Sequence, residues 1–255
     1  MKILLPLYYQ IKHTIRNSIS NKELSPGERI PSTYQLADRF KVNHLTVRKA
    51  IEELVQEGFL VSKRGLGTFV SDNENLIHSL SIEITGFMDE IFYEIQKAKT
   101  VSVVINEIPA PTIVRESLAL SPEEKTVIQI KRVRLLREKS FNFAINYLPV
   151  DIGSRIIEAD LYKKPLLQIL EQDLGIAFKD SYQTIQASFA DQEISDQLHL
   201  PPGSPILYIE RIIYTKKSKP VEILHSSYRG DLFKYVVRLK NLRKKNGNVW
   251  IHHGG

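Results

Sequence analysis

The part of the sequence that most restricts the fold lies between residues 31 and 70, where two short helices and a hairpin can be predicted. Ser32 and Gln35 have the spacing of a capping box, which indicates the start of the first helix. Asn43 is a favourable N-cap for the second helix, and Gly58 is the expected stop after it. A helix pair of this kind, followed by a basic hairpin, presents one helix and one wing to a polyanion. The segment therefore predicts a DNA-binding unit.

The second predicted helix has an apolar side and a polar side. Its inward face consists of apolar residues at helical spacing, namely Val47, Ala50, Ile51, Leu54 and Val55. Its outward N-terminal face carries the residues that a recognition helix directs at bases and phosphates, which are His44, Thr46, Arg48 and Lys49. The hairpin tip combines cations with glycines that let the backbone approach a groove, and it reads Lys63-Arg64-Gly65-Leu66-Gly67. The alternative is an ordinary helical hairpin with a solvated charged face, and the added wing argues against it.

Four segments between residues 6 and 70 resemble the winged helix-turn-helix domain of GntR-type bacterial transcription regulators. They read PLYYQIKHTIRNSI, LSPGERIPS, LADRFKVNHLTVRKAIEELVQEGFL and KRGLGTFV. The resemblance implies that DNA is contacted by Arg29, Thr46, Arg48 and Gly65 or Gly67. With the outward face, the caps and the wing included, the candidate DNA-binding set is Arg29, Ser32, Asn43, His44, Thr46, Arg48, Lys49, Lys63, Arg64, Gly65 and Gly67.

The chain departs from the usual pattern of this family at two places. Thr33 stands where the family usually has a glutamate, and Asn43-His44 stand where a serine-arginine pair often opens the recognition helix. The second exchange removes a fixed cation that often reads guanine, and a histidine is mostly neutral at cytoplasmic pH. We therefore expect the operator sequence to differ from the common one.

The positive charge of the chain is concentrated at its two ends. Residues 1–70 contain eleven Lys/Arg and six Asp/Glu, which gives +5, and the residues from Arg238 onward contain five Lys/Arg and no acid. Because the whole chain carries +6, the region between them carries about −4. A basic head on a mildly acidic body is typical of a DNA-binding module joined to a domain with another task.

The composition excludes several other classes of protein. The chain has 255 residues, of which 42% are hydrophobic, and this is long enough for two domains. It has no cysteine, which excludes disulfides, thiolate metal sites and a cysteine nucleophile. No apolar run has the length of a membrane span or of a secretory signal, so we expect a soluble, cytoplasmic protein without a membrane partner. The sequence lacks a glycine-rich phosphate loop, a nucleophile elbow and HExxH, and we expect no catalysis, cofactor or metal.

The residues after the wing predict a linker and then an α+β domain. Polar residues follow the last wing strand, which places the linker at 71–79 between a DNA-binding domain at 1–70 and a second domain at 80–240, with a basic tail at 241–255. Alternating patterns in the second domain predict two hairpins, with strands at 127–136, 141–148, 206–214 and 221–228. Helical spacing predicts helices at 87–97 and 165–174.

This second region resembles the effector-binding UTRA domain of the HutC subgroup of GntR regulators. The resemblance rests on GFMDEI, FAINYLP and ASFADQEISDQLHLPPGSPILYIERIIYTKKSKPVEILHSSYRGDLFKY. It implies an antiparallel-sheet α/β domain related in fold to chorismate lyase, with a ligand pocket between the sheet and its helices. It also implies a homodimer formed largely through this domain.

Two arginines are the main candidates for contact with an effector. Arg132 and Arg134 are two residues apart on a predicted strand, so they share one face. The resemblance implies that this pair meets anionic groups, which suits the bidentate geometry of guanidinium; a solvated strand face is the alternative. We interpret Arg229 and Asp231 as a structural pair at a surface corner. The full candidate effector-binding set is Thr85, Phe87, Arg132, Arg134, Tyr147, Glu222 and Tyr228.

Departures from the UTRA pattern bear on the ligand. Ala144 stands where the family has a glutamate, and Pro165-Leu166-Leu167 stand where it has Ser-Leu-Tyr. Apolar replacements serve sugar hydroxyls poorly, so we expect a small anion with few hydroxyls. The sequence thus predicts a ligand-responsive regulator, most simply a repressor released from a palindromic double-stranded DNA operator by a small anionic metabolite. An enzyme built on the lyase-like domain and a constitutive DNA-binding protein are the alternatives.

Overall fold

The computed structural model of this protein describes residues 6–72, 82–85, 98–136, 138–236, 239–244 and 247–252. The chain divides into two units, Met1–Ser81 and Ile82–Gly255. The linker predicted at residues 71–79 lies mostly outside the described residues, and its bounds stay a prediction. Among the helices that the structure describes, none is long and apolar enough to cross a bilayer.

The first unit consists of three helices and a two-stranded hairpin, as the sequence predicts. The helices are α1 (Leu7–Ser20), α2 (Thr33–Phe40) and α3 (His44–Gln56), and the antiparallel hairpin pairs β1 (Leu60–Lys63) with β2 (Gly67–Val70). Their apolar faces meet in one core that includes Ile11, Ile15, Ile19, Leu36, Val47, Ala50, Leu54 and Phe59. Because the buried positions of α3 recur on one side at helical spacing, its polar side faces away from this core.

Local capping sets the ends of α2 and α3. The Ser32 Oγ accepts a hydrogen bond from the Gln35 backbone N–H at 3.3 Å, and the Gln35 Oε1 accepts one from the Ser32 N–H at 2.8 Å. The Asn43 Oδ1 accepts from the backbone N–H of Leu45 at 2.9 Å. Gly58 follows α3 with φ of +80°, which glycine adopts without strain. The predicted capping box, N-cap and helix stop are therefore confirmed.

The second unit is built on a six-stranded antiparallel sheet. A short strand, β3 (Ile82–Thr85), comes first in the chain and lies outside this sheet. The six strands that follow are β4 (Lys99–Pro109), β5 (Thr126–Leu136), β6 (Lys139–Leu148), β7 (Phe178–Phe189), β8 (Pro205–Thr215) and β9 (Pro220–Arg229). Their order across the sheet is β4-β5-β6-β9-β8-β7. Both predicted hairpins are thus present, as β5-β6 and β8-β9.

Short helices connect these strands. They are α4 (Thr112–Ser117), α5 (Val150–Gly153), α6 (Glu158–Leu161), α7 (Leu166–Gln168) and α8 (Gln192–Leu198). A single π-helical turn, Ile169–Asp173, continues α7, so the helix predicted at 165–174 is present with an irregular second half. The helix predicted at 87–97 lies outside the described residues.

The sheet has two different faces because side chains alternate along its strands. On the face that we call the arginine face, Arg132 and Arg134 of β5 lie opposite Ala144 and Asn142 of β6, and Ser226 of β9 follows in the same row. The segment from α5 to the π turn covers this face with an apolar cluster that includes Ile152, Ile156, Leu161, Leu166, Leu167 and Leu170. The arginines therefore lie next to the main core of the second unit.

The opposite face, which we call the tyrosine face, carries Tyr147 and His225. Apolar residues of α4 and α8 cover it, among them Val114 and Leu198. The two faces are separated by the full thickness of the backbone, so a small ligand on one face cannot contact side chains on the other.

The last strands lie outside the main sheet. In parallel register, β10 (Phe233–Val236) pairs with β3, and Phe233 lies opposite Ile82. The residues predicted as a basic tail belong largely to an antiparallel hairpin of β11 (Leu239–Lys244) and β12 (Gly247–His252). The Val249-Trp250-Ile251 run explains this hairpin, because β-branched and aromatic residues favour strands. The chain thus enters the second unit on a strand that is paired with a later one.

Candidate functional site

The exposed face of α3 carries the side chains predicted to read DNA. Arg48 and Lys49 are exposed there, one turn beyond His44 and Leu45. The Nε of Arg48 donates to Oε1 of Glu52 at 2.8 Å, and both side chains remain more than half exposed. An exposed pair of this kind contributes less than about 1 kcal/mol. A phosphate or a guanine can therefore replace Glu52 as the partner of Arg48.

Two of these side chains lie against aromatic rings of neighbouring helices. The Nζ of Lys49 lies 3.9 Å from the ring centroid of Tyr8 in α1. The His44 ring stacks on Tyr34 of α2, with 5.4 Å between centroids and 25° between planes. Thr46, also predicted to contact DNA, is half-buried. Tyr34, in the first turn of α2, was missed by sequence reasoning, because its stacking on His44 joins residues ten positions apart.

Ser32 and Asn43 belong to the predicted DNA-binding set, and both cap helices. Each uses its side-chain oxygen to accept a backbone N–H at the start of α2 or α3. Both side chains are exposed at the end of the helix pair where α3 begins. Their capping role is confirmed, whereas their contact with DNA stays a prediction.

The wing brings Arg29 together with the predicted wing residues. Gly65 at the tip has φ of +75°, and Lys63 and Arg64 are exposed beside it. A Cβ atom on Gly67 would lie 2.8 Å from the Nε of Arg29. The Arg29 guanidinium therefore packs directly on the wing backbone. Gly67 also has φ of +115°, which L side chains rarely adopt, so the backbone angle and the contact with Arg29 together favour glycine at this position.

We expect Arg48→Ala to weaken operator binding at least tenfold, which corresponds to about 1.4 kcal/mol. The change removes a permanently charged fork from the exposed face and touches no core residue. A fluorescence anisotropy titration at fixed salt measures the affinity. The matched control is Glu52→Ala, which removes the partner of Arg48 and a negative charge and should bind equally well or more tightly. Unchanged affinity of Arg48→Ala would contradict its assignment.

The double change Lys63→Ala and Arg64→Ala should mainly reduce non-specific affinity. Two phosphate contacts contribute up to about 2 to the slope of log K against log salt concentration, so that slope should become shallower. Binding to operator and to random DNA should weaken alike. A loss confined to the operator would mean that the wing reads sequence.

The two arginines on the arginine face are buried. Arg132 is 3% exposed and Arg134 is 6% exposed, so the alternative of a solvated strand face is wrong. The Nη2 of Arg132 donates to Oδ1 of Asn146 at 2.9 Å, and the Nη1 of Arg134 donates to Oδ1 of Asn142 at 3.2 Å. The Nε and Nη1 of Arg132 are buried without a hydrogen-bond partner among the described residues. Such donors are costly to leave unpaired, and an anion would satisfy them.

Glu222 is the carboxylate of this cluster. It is fully buried, its Oε1 accepts from the Nδ2 of Asn146 at 2.6 Å, and its Oε2 lies 3.5 Å from the Nη2 of Arg211. Arg132, Arg134 and Arg211 contribute +3 and Glu222 contributes −1, so the cluster carries +2. Burial lowers the pKa of Arg132 well below its usual value, and the nearby Arg134 lowers it further. Burial also lowers the pKa of Arg134. The cluster therefore favours a negatively charged ligand.

A small cavity opens beside Arg134. Its volume is about 40 Å³, and its lining includes Thr100, Lys163, Lys164 and Pro165. Lys163 is paired with Asp160 at 3.9 Å and Lys164 with Asp173 at 2.5 Å, so Arg134 is the cation of this lining that has no carboxylate partner among the described residues and that attracts an anion. Pro165, which departs from the family pattern, is thus part of the lining of this cavity.

The remaining predicted effector residues separate into three groups. Tyr228 is buried on the arginine face, and its ring centroid lies 4.1 Å from that of Phe233. Tyr147 lies on the tyrosine face, because it pairs with Gln129 rather than with the row of the arginines. Its inclusion in the site is therefore corrected. For Thr85 the structure describes only the backbone of β3, and Phe87 lies outside the described residues.

Sequence reasoning also missed the buried amides and misplaced one ion pair. Asn142 and Asn146 accept hydrogen bonds from the two arginines, and the alternation of β6 within the predicted hairpin was the available signal. Arg229 and Asp231 form the predicted pair, at 2.9 and 2.7 Å, but both are buried rather than on the surface. Two parallel hydrogen bonds between the guanidinium and the carboxylate offset the cost of removing both charges from water.

A second cavity, of about 140 Å³, lies on the tyrosine face. Its lining includes Glu210 and His225, whose Oε1 and Nε2 atoms are 3.5 Å apart. Burial lowers the pKa of His225, which leaves the imidazole neutral at pH 7, while Glu210 opposes this shift. Arg211 also lines this cavity, but its guanidinium is paired with Glu222 of the arginine-face cluster at 3.5 Å. A carboxylate beside a neutral imidazole suits an anion less well than that cluster, so the arginine face is the better candidate effector site.

Two family models match the chain. Residues 7–70 match the bacterial regulatory proteins of the gntR family, and residues 95–234 match the UTRA domain. The chain is 27% identical to the HTH-type transcriptional repressor NagR of Bacillus subtilis, over 93% of this chain and 96% of that protein. It is 25% identical to the mannosyl-D-glycerate transport/metabolism system repressor MngR of Escherichia coli, over 91% and 95%.

Solved structures share this fold. The crystal structure of PhnF from Mycobacterium smegmatis has a TM-score of 0.54 at 20% identity and covers 92% of this chain and 100% of that one. The possible transcriptional regulator YydK from Bacillus subtilis has a TM-score of 0.52 at 21% identity and covers 91% and 98%. With a matched DNA-binding model in its first unit and a matched UTRA model in its second, this chain belongs to the gntR family of bacterial regulatory proteins.

Proposed function

We propose that this regulator is a homodimeric repressor that leaves a palindromic operator when a small dianion binds its arginine face. The observation that carries the proposal is the buried Arg132, whose Nε and Nη1 donors have no hydrogen-bond partner among the described residues. A buried donor of this kind, in a cluster of charge +2, is costly unless an anion occupies the site part of the time. The exposed cations of α3 and the wing supply the DNA-binding half of the function.

The surroundings of the cluster narrow the ligand class. The Oε1 of Glu222 accepts from Asn146, whereas its Oε2 has an ion pair with Arg211 at 3.5 Å but no hydrogen-bond partner among the described residues, so the carboxylate can accept from a single ligand hydroxyl. Ala144 and Leu167 are buried and apolar where the related pattern has polar groups. Lys163 and Lys164 line the cavity beside Arg134, and each is paired with an aspartate, Asp160 at 3.9 Å and Asp173 at 2.5 Å, so the net positive charge comes from the arginines. A phosphate monoester or a dicarboxylate with few hydroxyls suits this arrangement.

The response to the ligand follows from linkage. Two DNA-binding heads of a dimer must lie about one helical turn of DNA apart to engage both half-sites. A ligand that binds better to a form in which this spacing is lost lowers operator affinity by the ratio of its two affinities. Release of the operator is therefore the expected effect of the anion.

The test uses the full-length protein and measures thermal unfolding and operator binding in parallel. The probes are inorganic phosphate, glycerol 3-phosphate and succinate, and the matched neutral controls are glycerol and succinamide. At least one dianion should raise the melting temperature and weaken operator binding, while the neutral partners do neither. Stabilisation by the neutral compounds alone would contradict the proposal, and indifference to every probe would favour a constitutive DNA-binding protein. Turnover of a probe would favour an enzyme.

A further inference from the structure

Two exposed side chains in the first turns of α2 and α3 do not match the polar character of the DNA-binding face. Leu45 is 58% exposed and Tyr34 is 73% exposed. Neither belongs to the apolar core of the first unit. The Tyr34 ring stacks on His44, the residue directly before Leu45, so the three side chains occupy one end of the helix pair. An apolar and aromatic patch at this place has no role in holding the unit together.

Leu45 lies at the centre of the outward face of α3. With about 3.6 residues per turn, it projects nearly opposite the buried Val47 and Leu54. Arg48 and Lys49 follow it by three and four residues, which makes them its neighbours on the same face. The side chain that points away from the buried positions of α3, next to two cations, is therefore an uncharged hydrocarbon.

DNA offers one apolar group to such a side chain in its major groove. The 5-methyl group of thymine is presented there, and an apolar contact with it is a recognised means of reading this base. The cations beside Leu45 can hold phosphates or guanine, but they cannot recognise a methyl group. His44, which is held by Tyr34, adds a hydrogen-bonding edge next to the leucine.

We propose that Leu45, with the stacked pair of Tyr34 and His44 beside it, reads the methyl group of a thymine in each operator half-site. The inference rests on the proposed function, since it assumes that α3 enters the major groove. It adds a specificity determinant to the residues already considered. At position 44, where the family often has an arginine, this chain has His44, and we assign part of the base recognition to the neighbouring Leu45 instead.

The test measures the methyl dependence of DNA binding by the full-length protein. A pool of random duplexes is selected with the wild-type protein, and the selected site is resynthesised with one thymine at a time replaced by deoxyuridine, which removes only the methyl group. Fluorescence anisotropy at fixed salt gives each affinity. One thymine in each half-site should show about fourfold weaker binding without its methyl group, the effect of one buried methyl-sized group. Leu45→Ala should bind the thymine and uracil forms equally.

The matched control is Leu66→Ala on the wing, which removes another exposed leucine and should keep the full thymine dependence. Tyr34→Ala should reduce the dependence because it releases His44. The proposal is overturned by a selected half-site without thymine, by deoxyuridine that has no effect at any position, or by a dependence that persists in Leu45→Ala. Failure of the wild-type protein to select any duplex would overturn the proposed function as well.

Discussion

Arg132→Met should raise the thermal stability of the ligand-free protein and abolish its response to small dianions. The change removes a buried charge with two unpaired donors, and replacing buried ionic groups by apolar ones is often stabilising. It also leaves the Oδ1 of Asn146 without the donor that it has now, which costs about 1 kcal/mol. We expect a net gain of about 1 kcal/mol, or a melting temperature about 3 °C higher. Operator binding should persist and no longer change when glycerol 3-phosphate or succinate is added.

Arg155→Met is the control for this experiment, because Arg155 is an exposed arginine of the same unit. It should alter neither the melting temperature nor the response to anions. Calorimetry on the full-length protein measures both quantities. A variant of Arg132 that still binds a dianion with wild-type affinity would show that the ligand lies elsewhere.

Glu222→Ala should destabilise the second unit strongly. The substitution removes the buried carboxylate that is paired with Arg211 at 3.5 Å and interacts electrostatically with Arg132, and breaking a buried pair costs about 3–5 kcal/mol. The melting temperature of this unit should fall by roughly 10 °C. Added phosphate should recover part of the loss, because an anion that binds only the folded form stabilises it.

Glu210→Ala provides the comparison, since Glu210 is a half-exposed carboxylate on the opposite face of the same sheet. Its weak interaction with His225 should make the change nearly neutral. Differential scanning calorimetry in buffers with and without phosphate separates the two variants. An equal, small decrease of the melting temperature in both variants would mean that Glu222 does not offset the buried charge of the arginines.

The elements of the first unit could be predicted from sequence because their signals are local. Ser32 and Asn43 cap helices through residues only two or three positions away, and Gly58 ends α3 through its own backbone angle. The packing of Arg29 against Gly67 could not be predicted from such local signals. It depends on the loop before α2 folding back along the wing, where Arg29 bridges to Phe69.

The candidate effector site was predicted only in part, for reasons of register and burial. That Arg132 and Arg134 share a face follows from a period of two, and the structure agrees. Their burial depends on the apolar segment between residues 150 and 174, which is remote in sequence. The error at Tyr147 also comes from a feature that is not local in sequence, the pairing of two strands. A motif places this residue on the correct strand, but the register of β5 against β6 decides which face it occupies.

The parallel pairing of β3 with β10 has a consequence for how a bound ligand is sensed. Phe233 pairs with Ile82, and its ring lies against Tyr228, so one residue stands between the arginine face and the strand through which the chain enters the unit. A protein truncated before Phe233 would keep the six-stranded sheet and both arginines but would lose the anchor of β3. We expect such a protein to bind a dianion and to lose the effect of that dianion on operator binding. This expectation assigns ligand binding to the six-stranded sheet and the response of operator binding to the β3-β10 pair, which Phe233 joins through a buried cluster with Phe141, Ile209 and Tyr228.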